Sequence, residues 1–241
     1  TYSYFTGALD SEYHEDAVTP VAGLVVKPTG GVSLYANRIE ALQQGPTAPL
    51  DPNIVTNPGA VLAPRRSVQY EIGGKVRLGD VFLGLAGYHI ERPGEGVLND
   101  GSFGYLGDQR HQGVEFTVNG SLAPGLRLIG GAAYTDAKLD GGSHVPGVPE
   151  YTANADVEWD LGFVPGLTLT GRVIHTGEQW VDAVNTLKID SWTRFDLGAR
   201  YVLAAGDVPV TVRVSAENIA DNRYWASAFD SFSNALLQGG P

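Results

Sequence analysis

Residues 208–225 read VPVTVRVSAENIADNRYW. Val208, Val210, Val212, Val214 and Ala216 fall on one side of an extended chain. Pro209, Thr211, Arg213, Ser215 and Glu217 fall on the other. One face is apolar and the other carries charge. The stretch then breaks into a polar turn, Glu217 to Asn222, and closes on Tyr224 and Trp225. A strand of this kind covers a soluble core, or it separates lipid from water.

The rest of the chain repeats the pattern. Strands are expected over 18–27, 32–42, 65–78, 81–92, 107–122, 126–138, 150–162, 167–178, 190–203 and 208–219, with a partial one at 1–9. They are joined by two kinds of connection in alternation. Short Gly/Pro turns lie at 28–31, 79–80, 123–125, 164–166 and 204–207. Long loops lie at 43–64, 93–106, 139–149 and 179–189, with a last one after 219. No stretch has a helical period. A soluble sandwich has shorter strands and Greek-key connections. Long strands with short turns at one end and long loops at the other mark an outer-membrane barrel.

The faces agree with this reading. Val114, Phe116 and Val118 oppose Glu115, Thr117 and Asn119. Ala155, Val157 and Trp159 oppose Asp156, Glu158 and Asp160. In a barrel the polar faces line a wet lumen. There Glu71, Glu115, Asp156, Glu158, Asp196 and Glu217 are expected to pair with Lys75, Arg77, Arg172, Arg200 and Arg213. Tyr134, Trp159, Phe163, Trp192, Tyr201 and Tyr224 fall near strand ends, where an interfacial girdle places aromatics. Strands 18–27 and 81–92 alternate poorly, as a partly filled lumen allows.

Composition sets limits. The 241 residues carry a net charge of −11 and no basic run, so nucleic acid is excluded as a partner. There is no cysteine, hence no disulfide framework and no thiolate metal site. No apolar run approaches ~18 residues, which excludes a transmembrane helix and leaves barrel strands of ~9–11 residues open. With no methionine, even at position 1, the chain reads as a processed product or a fragment. No enzyme is expected. The five histidines are scattered without ligand spacing, and nucleophile-elbow, phosphate-loop and H-E-x-x-H motifs are absent. The acids Asp10, Glu12, Glu15 and Asp16 read as a solvated loop tip.

Several stretches, in this order and spacing, resemble a known family. They are Val18-Thr19-Pro20 with Gly23-Leu24-Val25, Ser33-Leu34-Tyr35, Arg66 to Gly73, Arg110 to Phe116, Tyr134 to Ala137, Arg194 to Gly198, and Glu217-Asn218-Ile219 through Trp225. Together they resemble the C-terminal half of a TonB-dependent outer-membrane receptor of the ferric-siderophore, ferrichrome-like type. The resemblance implies an all-β fold: an antiparallel up-and-down transmembrane β-barrel of about 22 strands with a plugged lumen. Of these the chain 1–241 supplies about 10–11, with short periplasmic turns and long extracellular loops. It also implies a preceding plug domain, a TonB-coupling segment and a final strand, all outside the sequence. The fragment is then one part of a larger assembly that does not close alone.

The function implied is import of a ferric siderophore across the outer membrane, powered through TonB. The expected partners are outer-membrane lipid, the plug and remaining strands, TonB and the ferric siderophore. The iron arrives wrapped in its chelate, so no cofactor or protein metal ligand is expected. Candidate substrate-binding residues are aromatics on the long-loop side. Phe229 comes first, because Tyr224 to Phe229 resembles the last-loop segment of ferrichrome-type receptors. Trp180, Tyr105, Phe103 and Trp225 follow, with Tyr224 and Phe232 in the same last loop. Gln109 and Arg110 are placed either to contact an anionic siderophore or to pair at a strand end. A passive porin-like barrel and a TonB-dependent importer of cobalamin or sugar remain as alternatives.

Overall fold

The structure, a computed structural model, describes residues 18–205, 208–230 and 235–239. The expected strand at 1–9, the acidic tip at 10–16 and Phe232 lie outside the described residues. Ten strands form one antiparallel sheet: β1 Val21–Thr29, β2 Val32–Gln43, β3 Arg65–Leu78, β4 Val81–Val97, β5 Phe103–Ala123, β6 Leu126–Leu139, β7 Tyr151–Asp160, β8 Leu167–Thr176, β11 Trp192–Ala205 and β12 Val208–Ala216. Two short hairpins stand apart at the loop end, β9 Gln179–Trp180 with β10 Lys188–Ile189, and β13 Trp225–Asp230 with β14 Ala235–Gln238. Every strand of the large sheet pairs with its neighbours in sequence, as an up-and-down meander requires.

The register turns the alternation of single strands into two continuous faces. Leu34, Gly74, Leu85, Phe116, Ala132 and Ala153 follow one another across β2 to β7. One step closer to the loops come Ala36, Ile72, Gly87, Val114, Tyr134 and Tyr151. This apolar face is uncovered, with Ile72 69% exposed. It ends at a ring pair, Tyr134 and Tyr151, with centroids 5.0 Å apart. Beyond it the same face turns polar: Arg38, Tyr70, His89, Gln112 and Asp136 share the next row. An apolar band topped by aromatics and then by charge is the profile of a strand wall crossing a bilayer.

The opposite face is polar. Arg127 bonds Glu158 at 2.8 Å and Asp160 at 2.7 Å, Arg172 pairs with Asp156, and Arg194 reaches Asp196 at 2.9 Å and Glu217 at 3.7 Å. The expected pairing is thus met by Arg172 with Asp156, while Arg127 takes Glu158, Arg194 takes Asp196 and Glu217, and Glu71 accepts from Tyr35 and Gln69 rather than from a cation. Lys75 and Arg77 lie instead over the rings of Tyr35 and Phe82, and Arg200 bonds Thr168. A cation at a ring face keeps a partner without needing an acid opposite it.

Two tyrosines of this face lie across glycines on the next strand. Tyr35 pairs with Gly73, and a Cβ at Gly73 would meet its ring at 2.6 Å. Tyr88 pairs with Gly113, and a Cβ there would sit 2.7 Å from the phenol oxygen. Their hydroxyls are anchored, Tyr35 to Glu71 at 2.6 Å and Tyr88 to Thr135 at 2.6 Å. An aromatic laid over a cross-strand glycine pins register and lets the sheet curve.

The connections differ from expectation at the loop end. The loop expected at 93–106 is mostly ladder: β4 runs to Val97 and β5 starts at Phe103, with a register shift between Pro93 and Glu95. Proline lacks the ladder donor and is tolerated at such a bulge. The last two long loops each contain one of the short hairpins.

Candidate functional site

Apolar packing concentrates at the loop end, where aromatics and polar side chains converge. Loop 44–64 folds back on the β4–β5 tip. Asn57 imitates a ladder partner there: its side-chain amide donates to Phe103 O at 3.0 Å and its oxygen accepts from Phe103 N at 2.7 Å. Ala48, Val55, Ala60 and Leu62 close around the Phe103 ring, which is 4% exposed. Tyr105 donates its hydroxyl to Ala63 O. Both aromatics tie this loop to the hairpin. Asp100 closes the tip by accepting from the hydroxyl and N–H of Ser102, which hold its carboxyl below the usual range.

The three remaining loops are joined to each other. Asn185, in a left-handed turn, brackets His144: His144 N donates to its Oδ1 at 2.6 Å and its Nδ2 donates to His144 O at 3.0 Å. Gly147 N donates to Trp180 O at 2.8 Å. The Trp180 ring carries Lys188 Nζ at 4.3 Å from its centroid and lies 6.1 Å from His144. Asp182 organises the turn below, accepting from the Thr186 hydroxyl and the N–H groups of Thr186 and Leu187; these bonds hold its carboxyl below the usual range.

The β9–β10 hairpin packs on β13–β14 through Val181, Ile189, Ala228 and Leu236. At the seam is Gln179, 2% exposed. Its amide donates to Ala226 O at 3.3 Å, and its oxygen accepts from Ser227 Oγ at 3.3 Å and Ala228 N at 3.4 Å. A buried amide satisfied on both sides fixes the mutual position of two loops.

The base of the last loop is built from the stretch that ends β12. Asn218 adopts φ 52°, Asp221 φ 50°. Asn218 N donates to Asp196 Oδ1 at 2.8 Å, its side chain bonds Asn222 in both directions, and Asn222 donates to Thr193 O at 2.7 Å. Tyr224 stacks on Trp192 at 4.2 Å. Trp192, Thr193, Asn222 and Tyr224 line a cavity of about 360 Å³ together with Asp190, Arg223 and Trp225. Asn218→Ala removes the two side-chain bonds to Asn222 and puts at φ 52° a residue that tolerates the left-handed region less well than Asn, together about 1–3 kcal/mol. The expected result is faster hydrogen exchange over 193–224 with the rest of the sheet unchanged; Asn218→Gly, which keeps the backbone freedom, falls between.

The candidates therefore separate. Trp180 and Trp225 stand at the loop end, Trp225 47% exposed. Phe103 is enclosed and Tyr105 is engaged with Ala63. The backbone of Phe229 lies in β13, while its side chain lies outside the described residues. Alternation splits the neighbours Gln109 and Arg110. Gln109 pairs with Arg92 on the polar face; Arg110 pairs with Glu91 and Lys138 on the outer side. Sequence reasoning passed over Arg92 and Arg65, Gln179, Asn57 and Asn185. Gln179, Asn57 and Asn185 carry no motif and act through backbone groups far away in sequence.

The family described as TonB dependent receptor-like, beta-barrel matches residues 1–219. The chain is 40% identical to the ferrichrome receptor FcuA of Yersinia enterocolitica, over 93% of this chain and 31% of that protein. It is 30% identical to the ferrichrome outer membrane transporter/phage receptor of Escherichia coli K12, over 72% of this chain and 25% of the relative. Among solved structures, BauA, the ferric preacinetobactin receptor from Acinetobacter baumannii, superposes with a TM-score of 0.76 at 34% identity, covering 92% of this chain and 34% of that one. The siderophore receptor PiuA of the same species superposes at 0.73 with 20% identity and shows the same fold, over 90% of this chain and 33% of that one. The chain thus spans about a third of the length of the first of these relatives. It belongs to the TonB-dependent receptors, and its ten-stranded sheet is a section of their outer-membrane β-barrel.

Proposed function

We propose that the protein imports a ferric siderophore across the outer membrane with energy delivered through TonB. This chain supplies barrel wall and part of the external vestibule. Its polar face packs against a plug domain, and a further strand beyond β12 continues the barrel. Trp180, Trp225 and Phe229 contact the chelate, with Tyr105 and Phe103 shaping the neighbouring loop.

The observation that carries this reading is the loop end. Three consecutive loops are tied into one ordered unit by Asn185 and Gln179, and they present Trp180 and Trp225. Ordered loops with a few aromatic and polar groups are what a vestibule for a large, rigid ligand requires. The named relatives bind ferric chelates.

The test uses the full-length receptor in a Gram-negative strain lacking its own siderophore receptors, fed a panel of ferric siderophores, with and without TonB. Iron uptake from at least one chelate, lost without TonB, is the expected result. Uptake independent of TonB supports a passive pore. Uptake of cobalamin or a sugar with no ferric chelate supports the other importer class.

A further inference from the structure

The polar face carries a cation at the loop end that has no acid of its own. Arg92 and Gln109 pair across β4 and β5. They lie beyond the row where the outer face changes from apolar to charged, and therefore above the apolar band. Arg92 Nε and Nη2 both donate to Gln109 Oε1, at 3.1 and 2.9 Å. The nearby carboxylate, Glu95, is taken by Arg65, whose Nε donates to Gln43 Oε1 at 3.1 Å. Arg92 forms no ion pair among the described residues. His111 Nε2 approaches the same Gln109 oxygen at 3.4 Å. The cluster holds two guanidiniums and one carboxylate, and Gln109 itself is buried.

A half-buried guanidinium with a single amide oxygen as acceptor is under-compensated. Removing an ion from water is unfavourable unless a counter-charge or a full set of acceptors replaces the solvent. Arg92 keeps donors in reserve, and the guanidinium fork matches the two oxygens of a carboxylate. Gln109 holds the fork in place by engaging one edge of it. Arg65 adds positive potential while its own charge is partly met by Glu95.

We propose that Arg92, oriented by Gln109 and supported by Arg65, is an anion-recognition site on the vestibule wall that takes a peripheral carboxylate or similar oxygen anion of the ferric chelate. This rests on the siderophore-import reading and narrows it. The substrate is a negatively charged chelate, and Arg92 sets that preference.

The test measures binding to the full-length receptor of two probes, a ferric complex bearing free carboxylates and a neutral ferric tris-hydroxamate. The expected result is tighter, salt-sensitive binding of the carboxylate complex. Arg92→Gln weakens that complex about tenfold, within reach of one lost charge-assisted pair. Binding of the neutral complex stays within about twofold. Arg92→Lys, which keeps the charge without the fork, recovers part of the loss. Heat-modifiable migration on gels confirms that each variant is folded. Equal loss for both probes assigns Arg92 a structural role and overturns the proposal. Binding of only the neutral complex by the unaltered receptor overturns it too, and leaves import standing. Binding of neither overturns this proposal as well, and the import reading then stands or falls on the wider panel.

Discussion

Gly113→Val is expected to abolish the folded barrel. Gly113 lies on the polar face of β5, directly opposite Tyr88 on β4. A β-carbon there would sit 2.7 Å from the Tyr88 hydroxyl oxygen and far inside contact distance of the Tyr134 carbonyl oxygen. The hydroxyl could swing away only by giving up its 2.6 Å bond to Thr135. The carbonyl belongs to β6, whose ladder with β5 runs through this position, so it moves only if the strands part. Overpacking against fixed backbone costs about 3 kcal/mol or more, and parting the ladder in lipid adds unpaired backbone groups. The full-length variant should show little or no heat-modifiable band and little protein in the outer membrane. Gly87→Val is the control. It lies one strand over on the apolar face, where the nearest atom to a new β-carbon is 3.8 Å away, and it should fold normally.

The second large effect separates two adjacent residues. Phe116 and Glu115 are neighbours on β5, Phe116 on the apolar face beside Leu85 and Glu115 on the polar face beside Ala86. Phe116→Arg places a charge in the band assigned to lipid and should cost about 2–4 kcal/mol. Glu115→Arg keeps a charge on the polar face, away from lipid, and should cost about 1 kcal/mol or less. Reversible denaturant unfolding of the full-length variants in lipid vesicles gives both values. Similar costs at the two positions would mean that β5 does not divide lipid from lumen.

Most of the wall was legible in the sequence because β-branched and aromatic residues alternate with polar ones through β3, β5, β7, β11 and β12. That alternation is imposed by the two environments, so it appears in every strand that separates them. The upper parts of β4 and β5 were hidden. Pro93, Gly94 and Gly96 read as loop, and the ladder that continues past them depends on a bulge. The β9–β10 and β13–β14 hairpins were missed because they are held by each other and by Gln179, with little local pattern of their own. The site was less legible still. Aromatic type alone does not distinguish Phe103, packed under its own loop, from Trp225, which is exposed. Gln109 and Arg110 are indistinguishable until the register sends one inward and the other outward. The Tyr35–Gly73 and Tyr88–Gly113 joints exist only across strands.

As a barrel wall, this sheet holds its apolar face in lipid and its polar face toward the interior. The chain has no cysteine, so single cysteines can be introduced one at a time into a cysteine-free full-length receptor. A fluorophore at each site, in bilayers doped with a lipid-borne quencher, reports contact with lipid. Strong quenching is expected at positions 72, 85, 116 and 197, and little at 71, 75, 115 and 196, so that the signal alternates along each strand. Uniform quenching, or quenching confined to the second set, would mean that the sheet does not divide lipid from the barrel interior.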